Sequence, residues 1–120
     1  MKTLVLAVDF DGCLAEYKFP GIGEQTEKQK RFMSILKKLQ QKGHKLVLWT
    51  SRGEPSLQEA IDWCEERGLK FDSHQVNPFT KKISGPSPKI VADYYIDDKA
   101  LEFGDEESQE RTLTLLEGLL

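Results

Sequence analysis

Residues 3–8, reading TLVLAV, form an unbroken run rich in branched side chains. A run without alternation predicts a strand buried on both faces, as inside a parallel sheet. It stops at Asp9, and a loop marked by Pro20, Gly21 and Gly23 follows. Over 24–41 the period changes. Phe32, Ile35, Leu36 and Leu39 fall on one helical face, Gly43 is placed to end the helix, and Lys37, Lys38 and Lys42 suit its negative end. Residues 45–49, KLVLW, predict a second buried strand that ends at Thr50. Pro55 marks the first turn of a second helix, with Leu57, Ala60, Ile61 and Cys64 on its apolar face and Gly68 closing it. Residues 69–75 read as a short third strand and 77–88, with its prolines and Gly85, as loop. The stretch 90–96 ends strand-like at Tyr94, Tyr95 and Ile96 and stops at Asp97 and Asp98. The tail, 106–120, reads as a terminal helix carrying Leu113, Leu115, Leu116, Leu119 and Leu120.

Strand and helix thus alternate, which predicts an α/β domain with a mostly parallel sheet. A chain of 120 residues suits one domain, 1–120. In such sheets ligands bind beyond the carboxyl ends of the strands. The residues at those ends are Asp9 and Asp11, then Thr50, then Asp97 and Asp98.

Composition narrows the class. Hydrophobic residues at 38% and charged residues at 31% describe an ordinary globular chain. A net charge of −3 argues against a dedicated nucleic-acid binder, which carries a basic excess. It leaves room for a small phosphorylated substrate, because a bound metal inverts the sign of one pocket locally. The two cysteines, Cys13 and Cys64, have no zinc-like or CxxC spacing and read as reduced thiols. No stretch approaches the ~20 apolar residues of a membrane span, and residues 1–7 do not read as a signal peptide. The expected location is the cytoplasm, with no membrane partner.

Asp9 and Asp11 are two carboxylates one residue apart, and Gly12 permits a turn that aims both into one crevice. Like charges so close call for a cation, a shared proton or a raised pKa. A hard cation with oxygen ligands, Mg²⁺, is the natural solution. Asp97 and Asp98 form a second acidic pair at another strand end, so both pairs can reach one ion. The Thr50 hydroxyl can donate to a phosphate oxygen, and Lys89 supplies a charge of the kind phosphoryl transfer needs. Ser51 and Arg52 are further candidates on the substrate side. His44, between a helix stop and a strand, reads as a turn histidine.

Taken together, these residues resemble the motifs of the haloacid dehalogenase superfamily. Asp9–Phe10–Asp11–Gly12–Cys13 is similar to its first motif, usually DxDGT; residues 46–50 to the second; Lys89 to the third; and residues 95–98 to the fourth. The resemblance implies a three-layer, Rossmann-like fold. It implies that Asp9 is a nucleophile forming an aspartyl-phosphate, and that Asp11 is the acid and base. It also implies that Thr50 and Lys89 hold the phosphoryl oxygens. Mg²⁺ would be held by Asp9, the Asp11 backbone carbonyl and the Asp97–Asp98 pair. Cys13 replaces the usual threonine, and its side chain is expected to face away from the phosphate. The intervals 12–49 and 51–88 leave no room for a sizeable cap; only 17–23 could form a small flap. The expected activity is that of a phosphatase, with transfer to an acceptor other than water in the same class. The alternatives are a catalytically idle scaffold that only binds, and a receiver-type phospho-acceptor. The receiver requires a mid-chain carboxylate at a strand end, whereas Asp72 lies near a strand start.

Overall fold

The computed structural model describes residues 2–80 and 89–120. The four strands are β1 (Val5–Val8), β2 (Lys45–Leu48), β3 (Ser73–His74) and β4 (Tyr94–Ile96). The three helices are α1 (Glu27–Gln41), α2 (Ser56–Glu66) and α3 (Glu106–Gly118). The sheet order is β3-β2-β1-β4 and every pairing is parallel. The expected α/β, Rossmann-like class is therefore present, with no cap among the described residues. The loop expected over 77–88 lies partly, at 81–88, outside them.

The unbroken apolar runs explain the centre of the sheet. Every residue of β1 is buried, and alternate side chains feed opposite faces. Leu6 and Val8 join Leu46 and Leu48 beneath α1 and α2. Val5, Ala7 and Val47 face the other way, where Ile90 covers them with help from Trp49 and Ala92.

The helices start where their caps dictate. Thr26 Oγ1 accepts from the Gln29 N–H at 3.2 Å, and Gln29 Oε1 accepts from the Thr26 N–H at 2.9 Å. This reciprocal capping box delays α1 from the expected position 24 to Glu27. Its inward face is Met33 and Leu36, with Phe32 and Leu39 at the margin; Ile35, expected inside, is 44% exposed. The third strand is shorter than expected. Leu69 and Phe71 leave the sheet for the helix-side core, and Gln75, at φ +60°, turns the chain away after His74.

α3 departs most from expectation. It buries Ser108 and Thr112, and Thr112 Oγ1 donates to the Glu102 carbonyl, so it folds onto the segment just before it. Leu113, Leu115, Leu116, Leu119 and Leu120 are all exposed.

Order and direction together place the site. β1 lies between β2 and β4, with Val8 opposite Leu48 on one side and Ile96 on the other. The chain steps from β1 to β2 and β3, then returns to the far side of β1 as β4. The switch point lies beside β1, where such sheets open a crevice.

Candidate active site at the carboxyl edge of the sheet

The chain leaves β1 through a tight turn. The Gly12 N–H donates to the Ala15 carbonyl at 2.8 Å, and the Leu14 N–H to the Phe10 carbonyl at 2.9 Å. Phe10 is fully buried, edge-on to Trp63 with ring centroids 5.5 Å apart. With Phe10 anchored inward, Asp9 and Asp11 line the cleft. Gly12 has φ +86°, and a Cβ there would stand 2.2 Å from Asp98 Oδ2. Only glycine both makes this turn and leaves room for the Asp98 carboxylate.

The cleft has a volume of about 600 Å³. Its lining brings together Asp9, Asp11, Thr50, Ser51, Asp97 and Asp98, six of the residues expected from sequence. Ligand atoms of Asp9, Cys13 and Asp98 all lie within 4.8 Å of one another. Asp97 sits beside them, its Oδ1 accepting from the Lys99 N–H at 2.8 Å. Burial, reinforced by the Asp97 and Asp98 charges, raises Asp9 from the ordinary 3.8 to about 7, although the Phe10 N–H opposes this. A carboxylate so destabilised as an anion is one whose charged form a nearby cation would favour. The donor set fits a hard ion. Burial pushes the Cys13 thiol up to about 12, so at neutral pH it is a protonated, soft group and the carboxylate oxygens are the ligands on offer.

Cys13 Sγ lies 3.8 Å from Asp9 Oδ2, yet the residue is not part of the cleft lining; it lines a separate groove with Lys28, Gln29, Phe32 and Ile96, in keeping with a side chain that faces away from a phosphate in the cleft.

Arg52 departs from its expected place on the substrate side. It is buried and spends all its N–H donors within the protein. Nε donates to Asp11 Oδ2 at 2.9 Å, and NH2 donates to Asp11 Oδ1 at 2.8 Å and to the Gly21 carbonyl at 2.6 Å. NH1 donates to the carbonyls of Pro20 at 3.1 Å and Ser56 at 3.3 Å. Arg52 therefore clamps Asp11 and the flap and has no donor left for a substrate oxygen.

Thr50 is 8% exposed, and its Oγ1 accepts from the Arg52 N–H at 3.2 Å, which leaves its own hydrogen free to donate. Its backbone is held by Gln75, whose Oε1 accepts from the Thr50 N–H at 2.9 Å and whose Nε2 donates to the Thr50 carbonyl. Gln75 was missed in the sequence, although it stands at a strand end, the same signal that singled out Thr50.

Lys89 is exposed and is not brought into the cleft; its Nζ lies 6.0 Å from the Tyr95 ring centroid. The lysine that lines the cleft is Lys99, with Nζ 3.5 Å from Asp98 Oδ2. Proximity in sequence to a proline-rich loop favoured Lys89, while Lys99 follows the acidic pair directly.

His44 is structural: its Nδ1 accepts from the Leu4 N–H at 3.0 Å, at the amino end of β2. Asp72 also lies at the amino end, accepting from the Leu46 N–H at 2.8 Å. It is thus on the wrong edge for a receiver-type phospho-acceptor.

No described helix is long and apolar enough to cross a membrane. No protein-family model matches the chain, and no curated protein matches it. A solved structure does, that of the conserved protein coded by locus from Bacteroides thetaiotaomicron. It is 34% identical, with a TM-score of 0.73, over 96% of this chain and 93% of that one. With that identity over nearly the full length of both, the chain belongs to the same family as this conserved Bacteroides thetaiotaomicron protein.

Proposed function

We propose that the protein is a Mg²⁺-dependent phosphomonoester hydrolase of the haloacid dehalogenase type that acts on a small phosphorylated substrate through an aspartyl-phosphate. The observation that supports this most is the meeting of Asp9 and Asp98 within 4.8 Å at the carboxyl edge of a parallel sheet, in a cleft that Thr50 also lines.

In this reading an Asp9 oxygen attacks phosphorus while the bond from phosphorus to the leaving oxygen breaks. Asp11 delivers a proton to that oxygen. Water then attacks phosphorus, Asp11 takes its proton, and the bond to Asp9 breaks to release phosphate. Arg52 occupies one site on each Asp11 oxygen, which leaves further lone pairs for this proton traffic. The Thr50 hydroxyl, Ser51 and Lys99 line the cleft where the phosphoryl oxygens would sit; the family resemblance assigns Lys89 to the same oxygens. Asp9, Asp98 and Asp97, with the Asp11 backbone carbonyl, would hold the ion. When bound, the ion supplies the charge that lets an anionic nucleophile approach an anionic phosphate. A cytoplasmic location belongs to the same proposal, since Cys13 and Cys64 are both free thiols.

The test is hydrolysis of a chromogenic aryl phosphate with Mg²⁺ and again with excess chelator. We expect a loss on the order of a hundredfold or more on chelation, reversed by added Mg²⁺. Equal background in both would favour the idle binding scaffold.

Mg²⁺ affinity carries a pH signature. Asp9 is raised to about 7, so below that pH the ion must displace a proton. Affinity should climb roughly tenfold per pH unit from pH 5 to 7 and level off above, as read by titration calorimetry. The metal-free protein should show the matching pH dependence of stability. A carboxyl whose folded pKa exceeds its unfolded value stabilises fully below about 3.8, and that contribution is lost as pH rises through about 7. A pH-independent affinity would remove Asp9 from the ion's ligands.

A further inference from the structure

The cleft is acidic at its floor, but aromatic side chains from two separate elements line it as well. Tyr17 and Phe19 come from the flap, and Trp49 follows β2. Tyr17 is 67% exposed and Phe19 48%. A ring left in water beside a charged centre forfeits the burial that usually holds aromatic residues inside.

The flap presenting these rings is fixed. At its base the Glu16 N–H donates to the Glu24 carbonyl at 2.8 Å. Gly23 packs so closely that a Cβ would lie 2.2 Å from the Glu16 carbonyl oxygen. From beneath, Arg52 holds the Pro20 and Gly21 carbonyls, and its Cζ lies 5.2 Å from the Phe19 ring and 5.1 Å from the Phe10 ring. The buried guanidinium thus supports Phe19, and the ring's exposed surface is set in place before any ligand arrives. Trp49 is steadied in turn by Tyr95, edge-on with centroids 5.1 Å apart.

The polar inventory points the same way. Besides the acids, the lining offers Thr50, Ser51 and Lys99, which the phosphoryl oxygens would use, and the Tyr17 hydroxyl. A bare polyol would find few hydrogen-bond partners, whereas a flat ring finds three aromatic side chains.

We propose, resting on the phosphohydrolase reading, that the substrate is a small phosphomonoester bearing a planar aromatic ring, a nucleobase or an aryl group, stacked on the Tyr17, Phe19 and Trp49 walls.

Two matched pairs of esters test this, each sharing its leaving alcohol type and differing in the ring. Adenosine 5′-monophosphate is compared with ribose 5-phosphate, and benzyl phosphate with cyclohexylmethyl phosphate, by kcat/KM with Mg²⁺. The ring-bearing member should win by about tenfold or more in at least one pair, the size expected for one stacked ring. The winning pair says whether the ring is a nucleobase or an aryl group. Phe19→Leu and Tyr17→Leu, which keep apolar bulk but remove the π face, should each lower that ratio, and together should bring it near one. Equal kcat/KM within both pairs, or a ratio untouched by the double variant, overturns the proposal. Should none of these esters and no aryl phosphate be hydrolysed, the hydrolase reading itself falls. Calorimetric binding of adenosine 5′-monophosphate against ribose 5-phosphate, in the unaltered protein and in Phe19→Leu, then decides the ring site alone. Tighter nucleotide binding that Phe19→Leu weakens supports it, and equal binding overturns it.

Discussion

Asp9→Asn is expected to lower Mg²⁺-dependent hydrolysis at least a thousandfold while leaving the metal-free protein as stable as the parent or more so. The amide has the shape of the carboxylate and can still accept the Phe10 N–H, which Asp9 Oδ1 accepts at 2.8 Å. It cannot form the aspartyl-phosphate, and a thousandfold loss corresponds to about 4 kcal/mol of barrier. The stability half follows from the raised pKa. Asp9 is disfavoured as an anion by burial and by Asp97 and Asp98, so a neutral isostere relieves that strain. Active sites commonly trade stability for function in this way. Initial rates and thermal unfolding on the same preparation check both halves. Retained hydrolysis would remove Asp9 as nucleophile, and a clear fall in melting temperature would mean the negative charge serves the fold.

Arg52→Met should produce the largest stability loss of any single change near the cleft. The Arg52 side chain has no exposed surface and that of Asp11 only 11%, so the substitution strands a nearly buried carboxylate. It also leaves the carbonyls of Pro20, Gly21 and Ser56 without this donor. Breaking a buried ion pair from one side costs about 3–5 kcal/mol. For a domain of this size the melting temperature should fall by roughly 10 °C or more. Arg52→Lys keeps the charge but loses the fork that reaches both Asp11 oxygens, and should fall between. Removing both partners, with Asp11→Leu added to Arg52→Met, should cost less than the sum of the two singles. Denaturant unfolding of the four proteins measures the coupling, and strict additivity would mean the pair is not a unit.

The parts of this structure legible in the sequence are those fixed by local pattern. The runs 3–8 and 45–49 read as buried strands, which the structure has at Val5–Val8 and Lys45–Leu48, and the parallel alternation places Asp9, Thr50, Asp97 and Asp98 at one edge. Periodicity found α1 and α2 and most of the inward face of α1, where Leu36 is buried with Phe32 and Leu39 beside it, but it missed Met33, which is buried, and included Ile35, which is exposed. It also located α3 without revealing that its leucines lie outside, because that depends on what the helix meets. Arg52 looked like a substrate contact since it follows Thr50 closely. Its true partner, Asp11, is 41 residues away, and only the assembled fold brings the two together. Gln75 was hidden for a related reason, since its partner Thr50 follows another strand, 25 residues away; Lys99 was legible, directly after the acidic pair, but Lys89 was chosen in its place.

The strand that leads into Asp9 and its partner β4 lie far apart in the primary structure; the Val5 N–H donates to Asp93 Oδ2 across 88 residues. A ribosome therefore delivers Asp9 well before the Asp97–Asp98 pair. Until β4 has been made, β1 can be flanked by β2 alone, and the gathering of Asp9 with Asp97 and Asp98 does not yet exist. Under the proposed function, reactivity and metal binding would therefore arrive together, once a three-residue strand docks beside β1.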